Sequence, residues 1–210
     1  MNKRRAPRSS DRARRLPLDQ YQRILILSEG TETEPQYFRK LKSEWRIPGL
    51  VIRSHRIGRG PKVVDAALTD SQDFDQVWCV FDKDDLADSE FNDAVFRCKG
   101  NIHAAWSNES FELWLLLHYQ ATPPRGTPAR KKYIETLQRD FVGPFEKSAL
   151  PMDVFMSRIG IAMANAELLT EQRLEDFPPA KRCPDTTVPY LIKALERERD
   201  KSLSQFSTII

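Results

Sequence analysis

Long hydrophobic runs are missing from this 210-residue chain. No stretch approaches the roughly 18 uninterrupted apolar residues that a membrane-spanning helix requires, so no membrane association is expected. Cysteine is scarce. Cys79, Cys98 and Cys183 are odd in number, scattered and far from any C-x-x-C spacing, which excludes a secreted disulfide scaffold and fits reduced thiols in the cytoplasm. Histidine is equally sparse: His55, His103 and His118 show no ligand spacing, and no Cys/His metal cluster can be assembled. Internal repeats and low-complexity tracts are absent. The 40% of hydrophobic residues is nevertheless enough for a real core, and the length fits one domain of ordinary size with appended elements.

Charge is unevenly placed. The chain carries 33 Lys and Arg against 30 Asp and Glu, a net of +3. Residues 1–20 hold seven basic and two acidic residues, a net of +5, which leaves −2 for the body. The excess is therefore confined to the leader MNKRRAPRSSDRARRLPLDQ, in which no apolar stretch follows the charges, unlike a secretory signal. Pro7 and Pro17 oppose a stable helix there. Residues 1–21 read as a basic disordered leader, either a solubilising tail or an arm that binds phosphates without sequence preference.

From residue 22 strands and helices alternate. Ile24-Leu25-Ile26-Leu27 is an apolar run of the kind buried on both faces of a sheet. Thr31 with Glu34 three positions on reads as a capping box, opening a helix to about Trp45. Leu50–Arg53, Val77–Phe81 and Ile102–Trp106 read as further strands, with helices over Val63–Leu68, about Ser89–Lys99 and Phe111–Tyr119. Steps of about 25 residues mean βαβ units, hence a four-strand parallel sheet with flanking helices over residues 22–120. Pro123, Pro124 and Pro128 then mark a break. Residues 121–210 read as all helical, over about 128–140, 151–175 and 186–199, the last capped by Asp185 and Thr186, and pack on the domain or on a partner.

Acidic residues gather at the strand ends, where parallel α/β sheets bind ligands. Glu29 follows strand 1, Asp82 and Asp84 follow strand 3, and Asn108, Glu109 and Glu112 follow strand 4. Crowded carboxylates repel one another unless a cation neutralises them. Two carboxylates at i and i+2 leaving a strand point the same way, and hard oxygen ligands suit Mg²⁺ or Mn²⁺. Glu29, before Gly30, stands where it can act as a base on water or as an acid on a leaving oxygen. The set predicts a metal-assisted phosphoryl site at Glu29, Asp82 and Asp84, with Asp85, Asn108 and Glu112 in supporting or ligand positions. Glu34 reads as a helix-capping charge, and His118 as packed against Phe111, Trp114 and Leu115. Arg53, His55, Arg56, Arg59 and Lys62 form a basic stretch, either a nucleic-acid contact or a solvated loop.

The run ILILSEGTETEPQYFRKLK (24–42), with VFDKDD (80–85) some fifty residues on, resembles a Toprim-type catalytic domain. Adding AWSNESFELWLLLHY (105–119) and PDTTVPYLIKAL (184–195), the chain resembles the RloB family, encoded beside restriction and phage-defence systems. Glu109 departs from the family's frequent proline at that place. The resemblance implies a Toprim-like, Rossmann-like fold, with Glu29 as general acid/base and Asp82 and Asp84 as Mg²⁺ ligands. It also implies a place in anti-phage, abortive-infection defence beside an ABC-type ATPase partner. Three functional readings stand: a Mg²⁺-dependent nuclease acting on DNA or RNA, tRNA included, with a homo-oligomer open to it; a non-catalytic regulatory or adaptor subunit whose acidic rim binds metal or nucleotide; and, more weakly, a hydrolase of nucleotides or other phosphate monoesters.

Overall fold

The computed structural model describes residues 21–54, 58–123, 129–144, 150–171 and 177–207. Of the leader expected over residues 1–21 all but Tyr21 lies outside them, as do His55 and Arg56 of the basic stretch. Strand β1 (Ile24–Ser28) runs into helix α1 (Thr33–Trp45), β2 (Leu50–Ser54), α2 (Pro61–Asp70), β3 (Gln76–Asp82), α3 (Asp88–Arg97), β4 (Ile102–Asn108) and α4 (Glu112–Leu117). The strand order is β2-β1-β3-β4, all parallel, and the adjacency of strands 1 and 3 that the acidic rim requires is present. The chain leaves β1 toward β2 on one side and returns to β3 on the other, so the order reverses between β1 and β3. That reversal opens a crevice at their carboxyl ends.

Strand alternation builds two apolar layers. Ile24, Ile26, Trp78 and Val80 pack with Tyr37, Phe38 and Leu41 of α1 and with α4. Leu25, Leu27, Val77, Cys79 and Phe81 pack with Val63, Val64 and Ala67 of α2 and with Phe91 and Ala94 of α3. The helical half adds α5 (Ala129–Thr136), a π-helical turn at Leu137–Val142, α6 (Met152–Ser157), α7 (Ile159–Glu171) and α8 (Val188–Ser207). Tyr133, Phe155, Ala162, Leu191 and Leu195 from these helices join the α1/α4 layer. His118 is packed within it, as expected: Nε2 lies 3.1 Å from the Tyr37 hydroxyl and Nδ1 2.9 Å from the Trp114 carbonyl oxygen.

Two expectations are corrected. The second half is not all helical, because Asp185–Thr186 forms β5, antiparallel to β4, and makes the sheet five-stranded. Its two polar residues look like a helix cap in sequence. In the structure their neighbourhood bonds the edge of β4: Thr186 Oγ1 stands 3.0 Å from Ser107 Oγ, and the Trp106 amide donates to Thr187 Oγ1 at 2.9 Å. The capping box also does not form. Helix α1 starts at Thr33 after Glu32, with no side-chain cap bond, and Glu34 turns inward instead.

Candidate active site

Alternation decides which way the rim carboxylates face. Leu25 and Leu27 point to the α2 side, and Glu29 leaves the strand on that side too. There Glu29 Oε2 accepts a hydrogen bond from the Gly60 amide at 3.0 Å, and Arg59 Nε stands 3.5 Å from Oε1. Gly60 precedes α2 with φ +42°, and a Cβ there would meet Leu86 at 2.8 Å, so glycine is what lets this amide approach. The Glu29 side chain is 15% exposed. Burial raises its carboxyl above the ordinary range, the Gly60 bond and Arg59 pull it back, and the Asp84 charge adds to the rise.

Asp82 follows Trp78 and Val80, which face the α1/α4 layer, and ends on that side. It is 7% exposed. The Phe111 amide donates to it, and among the described residues its Oδ1 has no hydrogen-bond partner. Burial above all, then the charges of Glu34, Glu112 and Asp84, push its carboxyl well above the usual carboxylate range. Glu34 comes from the inner face of α1, buried beside Tyr37 and Phe38. Its carboxylate lies against Gly30, where a Cβ would overlap it. Glu112 is buried at the start of α4.

Asp84 stands between the two groups. Strand β3 stops at Asp82 and Asp84 takes φ +33°, so strand alternation no longer governs it and the two aspartates do not point alike. Asp84 Oδ2 accepts from Arg130 Nη1 at 2.5 Å, and Arg130 Nε lies 3.7 Å from Glu112 Oε2. Burial raises the Asp84 carboxyl, against the pull of Arg130. The backbone amide of Arg130 donates to the Glu109 carboxylate at 2.9 Å. Gly30, Thr31, Glu34, Asp82, Glu112 and Arg130 are among the residues lining a cleft of about 190 Å³.

The sequence-predicted residues are thus partly brought together. Asp82 and Glu112 line the cleft, Asp84 is tied to it through the cleft-lining Arg130, and Glu29 faces the other side of the sheet, with Asp84 the link between them. Asp85 is 97% exposed and 4.0 Å from Arg59, at the outer edge. Asn108 is buried but turned away: its carboxamide donates to the carbonyls of Pro179 and Ala180 at 3.3 and 3.1 Å, holding that turn on the sheet. Lys83, between the aspartates, donates to the Leu86 carbonyl. Of the basic stretch, Arg59 is at the rim and Lys62 exposed beside it. Arg53 stands one residue before the carboxyl end of β2, level with Leu27, but its guanidinium is engaged by Asp70 at 2.8 Å and lies over Phe74. Glu34 and Arg130 escape the sequence reading. Glu34 had a signal, its spacing with Tyr37, Phe38 and Leu41 on one helical face; Arg130 had none.

Hard carboxylate oxygens and the unpartnered Asp82 Oδ1 are the donor chemistry a divalent cation needs. Among the described residues, however, no group of three or more His, Cys, Asp or Glu side chains could hold a metal ion as arranged. Glu29 and Asp84 are each engaged by an arginine.

The model of the RloB-like protein family matches residues 24–195. The chain belongs to the RloB-like family. Its motifs at 28–38, 80–85 and 105–119 all fall inside the matched span, so the cleft is built from family segments. No curated protein and no solved structure matches the chain. Among the described residues, no helix is long and apolar enough to cross a membrane.

Proposed function

We propose that this RloB-like chain is a Mg²⁺-dependent nuclease, cleaving phosphodiester bonds of DNA or RNA on a Toprim-like sheet. The observation that carries the reading is Asp82, a buried carboxylate with one oxygen unpartnered, at the crevice where strand order reverses. Asp82 and Asp84 would hold the cation. When bound, it would neutralise the crowded carboxylates and polarise a phosphoryl oxygen. Glu29 is the general acid/base: burial raises its carboxyl, which favours a group that gives and takes a proton, and the Gly60 amide fixes its orientation. Arg59, half exposed at the same rim, offers a charge to phosphate. A role in anti-phage defence beside an ABC-type ATPase partner, in the cytoplasm, rests on the family alone.

The adaptor reading has one observation in its favour, the two arginines that neutralise Glu29 and Asp84. One experiment separates the two. The full chain is incubated with labelled duplex DNA, single-stranded DNA and tRNA, with Mg²⁺ or Mn²⁺ and with chelator. Cleavage that needs the cation and disappears in Asp82→Ala supports the nuclease. Cation binding through Asp82 without cleavage of any of these substrates supports the adaptor.

A further inference from the structure

We infer that Arg130 is a tethered counter-cation, whose guanidinium competes with a divalent cation for the acidic cleft. This rests on the cation reading above and extends it to a residue that no motif contains.

The cleft is too acidic to stand alone. Glu34, Asp82, Asp84 and Glu112 bring four carboxylates to one small space, and each buried like charge raises the cost of the others. Arg130 faces them from the helical half, at 2.5 Å from Asp84 and 3.7 Å from Glu112. The charges of Asp82 and Glu34 reach it as well. Its backbone is held: the Arg130 amide is bonded to Glu109, and the neighbours Ala129 and Tyr133 are buried in the core. Its side chain is not, being 35% exposed, so the guanidinium can swing out while the helix stays.

What Arg130 leaves undone points to the competitor. A guanidinium donates in one plane, and here it bonds Asp84 and only stands near Glu112, at 3.7 Å, while among the described residues Asp82 Oδ1 stays buried without a partner. A compact dication carries twice the charge and accepts oxygen ligands from all sides. To take Asp84 and Asp82 together it must displace Arg130 from Asp84, and the two like charges then repel. The arrangement seen, with Arg130 on Asp84, is the arginine-filled state of the cleft.

The test is Mn²⁺ binding by titration calorimetry, with Mg²⁺ in parallel, to the wild-type chain, Arg130→Gln and Arg130→Lys. Arg130→Gln removes the competing charge and should bind Mn²⁺ about 10-fold tighter or more. Arg130→Lys keeps the charge and should stay within about threefold of wild type. Without metal, Arg130→Gln should melt earlier than wild type, and saturating Mn²⁺ should close the gap. If the variant is unfolded in chelator but folds in Mn²⁺, the cation has replaced the arginine and the inference stands. If it stays unfolded in millimolar Mn²⁺, or folds and binds Mn²⁺ no tighter than wild type, the inference is overturned. A lysine variant as tight as the glutamine variant overturns the charge argument. Wild type and variants all failing to bind either cation overturns the cation reading itself, and this inference with it.

Discussion

Replacing Glu29 by glutamine separates proton transfer from every other role this residue can have. The side chain keeps its shape, and an amide oxygen can still accept from the Gly60 amide, now 3.0 Å from Oε2. What is lost is charge. A hydrogen bond to a charged acceptor is worth about 1.5–3 kcal/mol against about 0.5–1.5 for a neutral one, so the Gly60 bond weakens by about 1 kcal/mol. The Arg59 contact, at 3.5 Å with the guanidinium half exposed, adds no more than about 1 kcal/mol. Against these stands the burial that raises the carboxyl, a cost the neutral amide does not carry. The balance is a change within about 1 kcal/mol, which for a chain of this size moves the midpoint by less than about 4 °C.

The pH dependence carries a sign. A carboxyl raised in the folded state contributes stability that is full below its unfolded value and lost as pH rises through the folded one. Wild type should therefore gain stability on acidification from neutrality toward the unfolded range, and Glu29→Gln should gain less by the share of Glu29, those of Asp82 and Asp84 remaining. Turnover should fall by about 10²–10⁴, the usual contribution of a positioned acid or base, with Mn²⁺ and nucleic-acid binding retained. Calorimetric melting at two pH values, metal titration and a single-turnover cleavage assay read these separately. A Glu29→Gln protein that cleaves at the wild-type rate refutes the acid/base assignment, whatever binds in the cleft.

Asp82→Ala should abolish cation binding while raising the metal-free melting temperature, because it removes one of several repelling buried carboxylates; a marked loss of metal-free stability would show the residue to be structural. Arg59→Ala should weaken nucleic-acid binding and reduce the slope of log affinity against log salt by about one, whereas Arg53→Ala, whose charge is taken up by Asp70, should leave both unchanged; equal effects would show that this pairing does not withhold Arg53 from phosphate. His118 is held down to about 4 by burial, so it is neutral in the folded state while the unfolded chain protonates near 6.5. Its stability is present above the unfolded value and lost as pH falls toward 4, by up to about 1.4 kcal/mol per pH unit; urea unfolding of wild type and His118→Gln should differ in slope over that window and run parallel above pH 7.

The four parallel strands were legible because each carries a short apolar run, at residues 24–27, 50–52, 77–81 and 104–106, followed by polar or charged residues. Strand β5 was not, since two polar residues make no run and its identity lies in hydroxyl bonds to β4, some 80 residues away. The acids at the rim were legible as a set, but not their division between the two faces. That division needs the register: Ser28 pairs with Val80, so Glu29 falls one residue out of step with Asp82 and points to the opposite layer. Glu34 was written in its helical face, though a carboxylate before Pro35 in a first turn reads more readily as a capping charge. Arg130 was out of reach, because no periodicity connects it to Asp84 at a separation of 46 residues.

The apolar layer over α1 has a consequence for how this protein can be divided. Leu113, Trp114, Leu115, Leu116 and Leu117 of α4 are all buried in a core that includes Tyr133, Phe155, Leu191 and Leu195. At the far end, α8 supplies Glu198, whose Oε2 accepts the Gln22 amide just ahead of β1. The catalytic-looking sheet is therefore not a portable cassette. A fragment stopped near residue 120 would bare five consecutive large side chains and give up the cleft's arginine together with its supporting helix. Grafting, swapping or shortening within this family has to treat the helical half as the second jaw of the same cleft, inherited with the sheet or not at all.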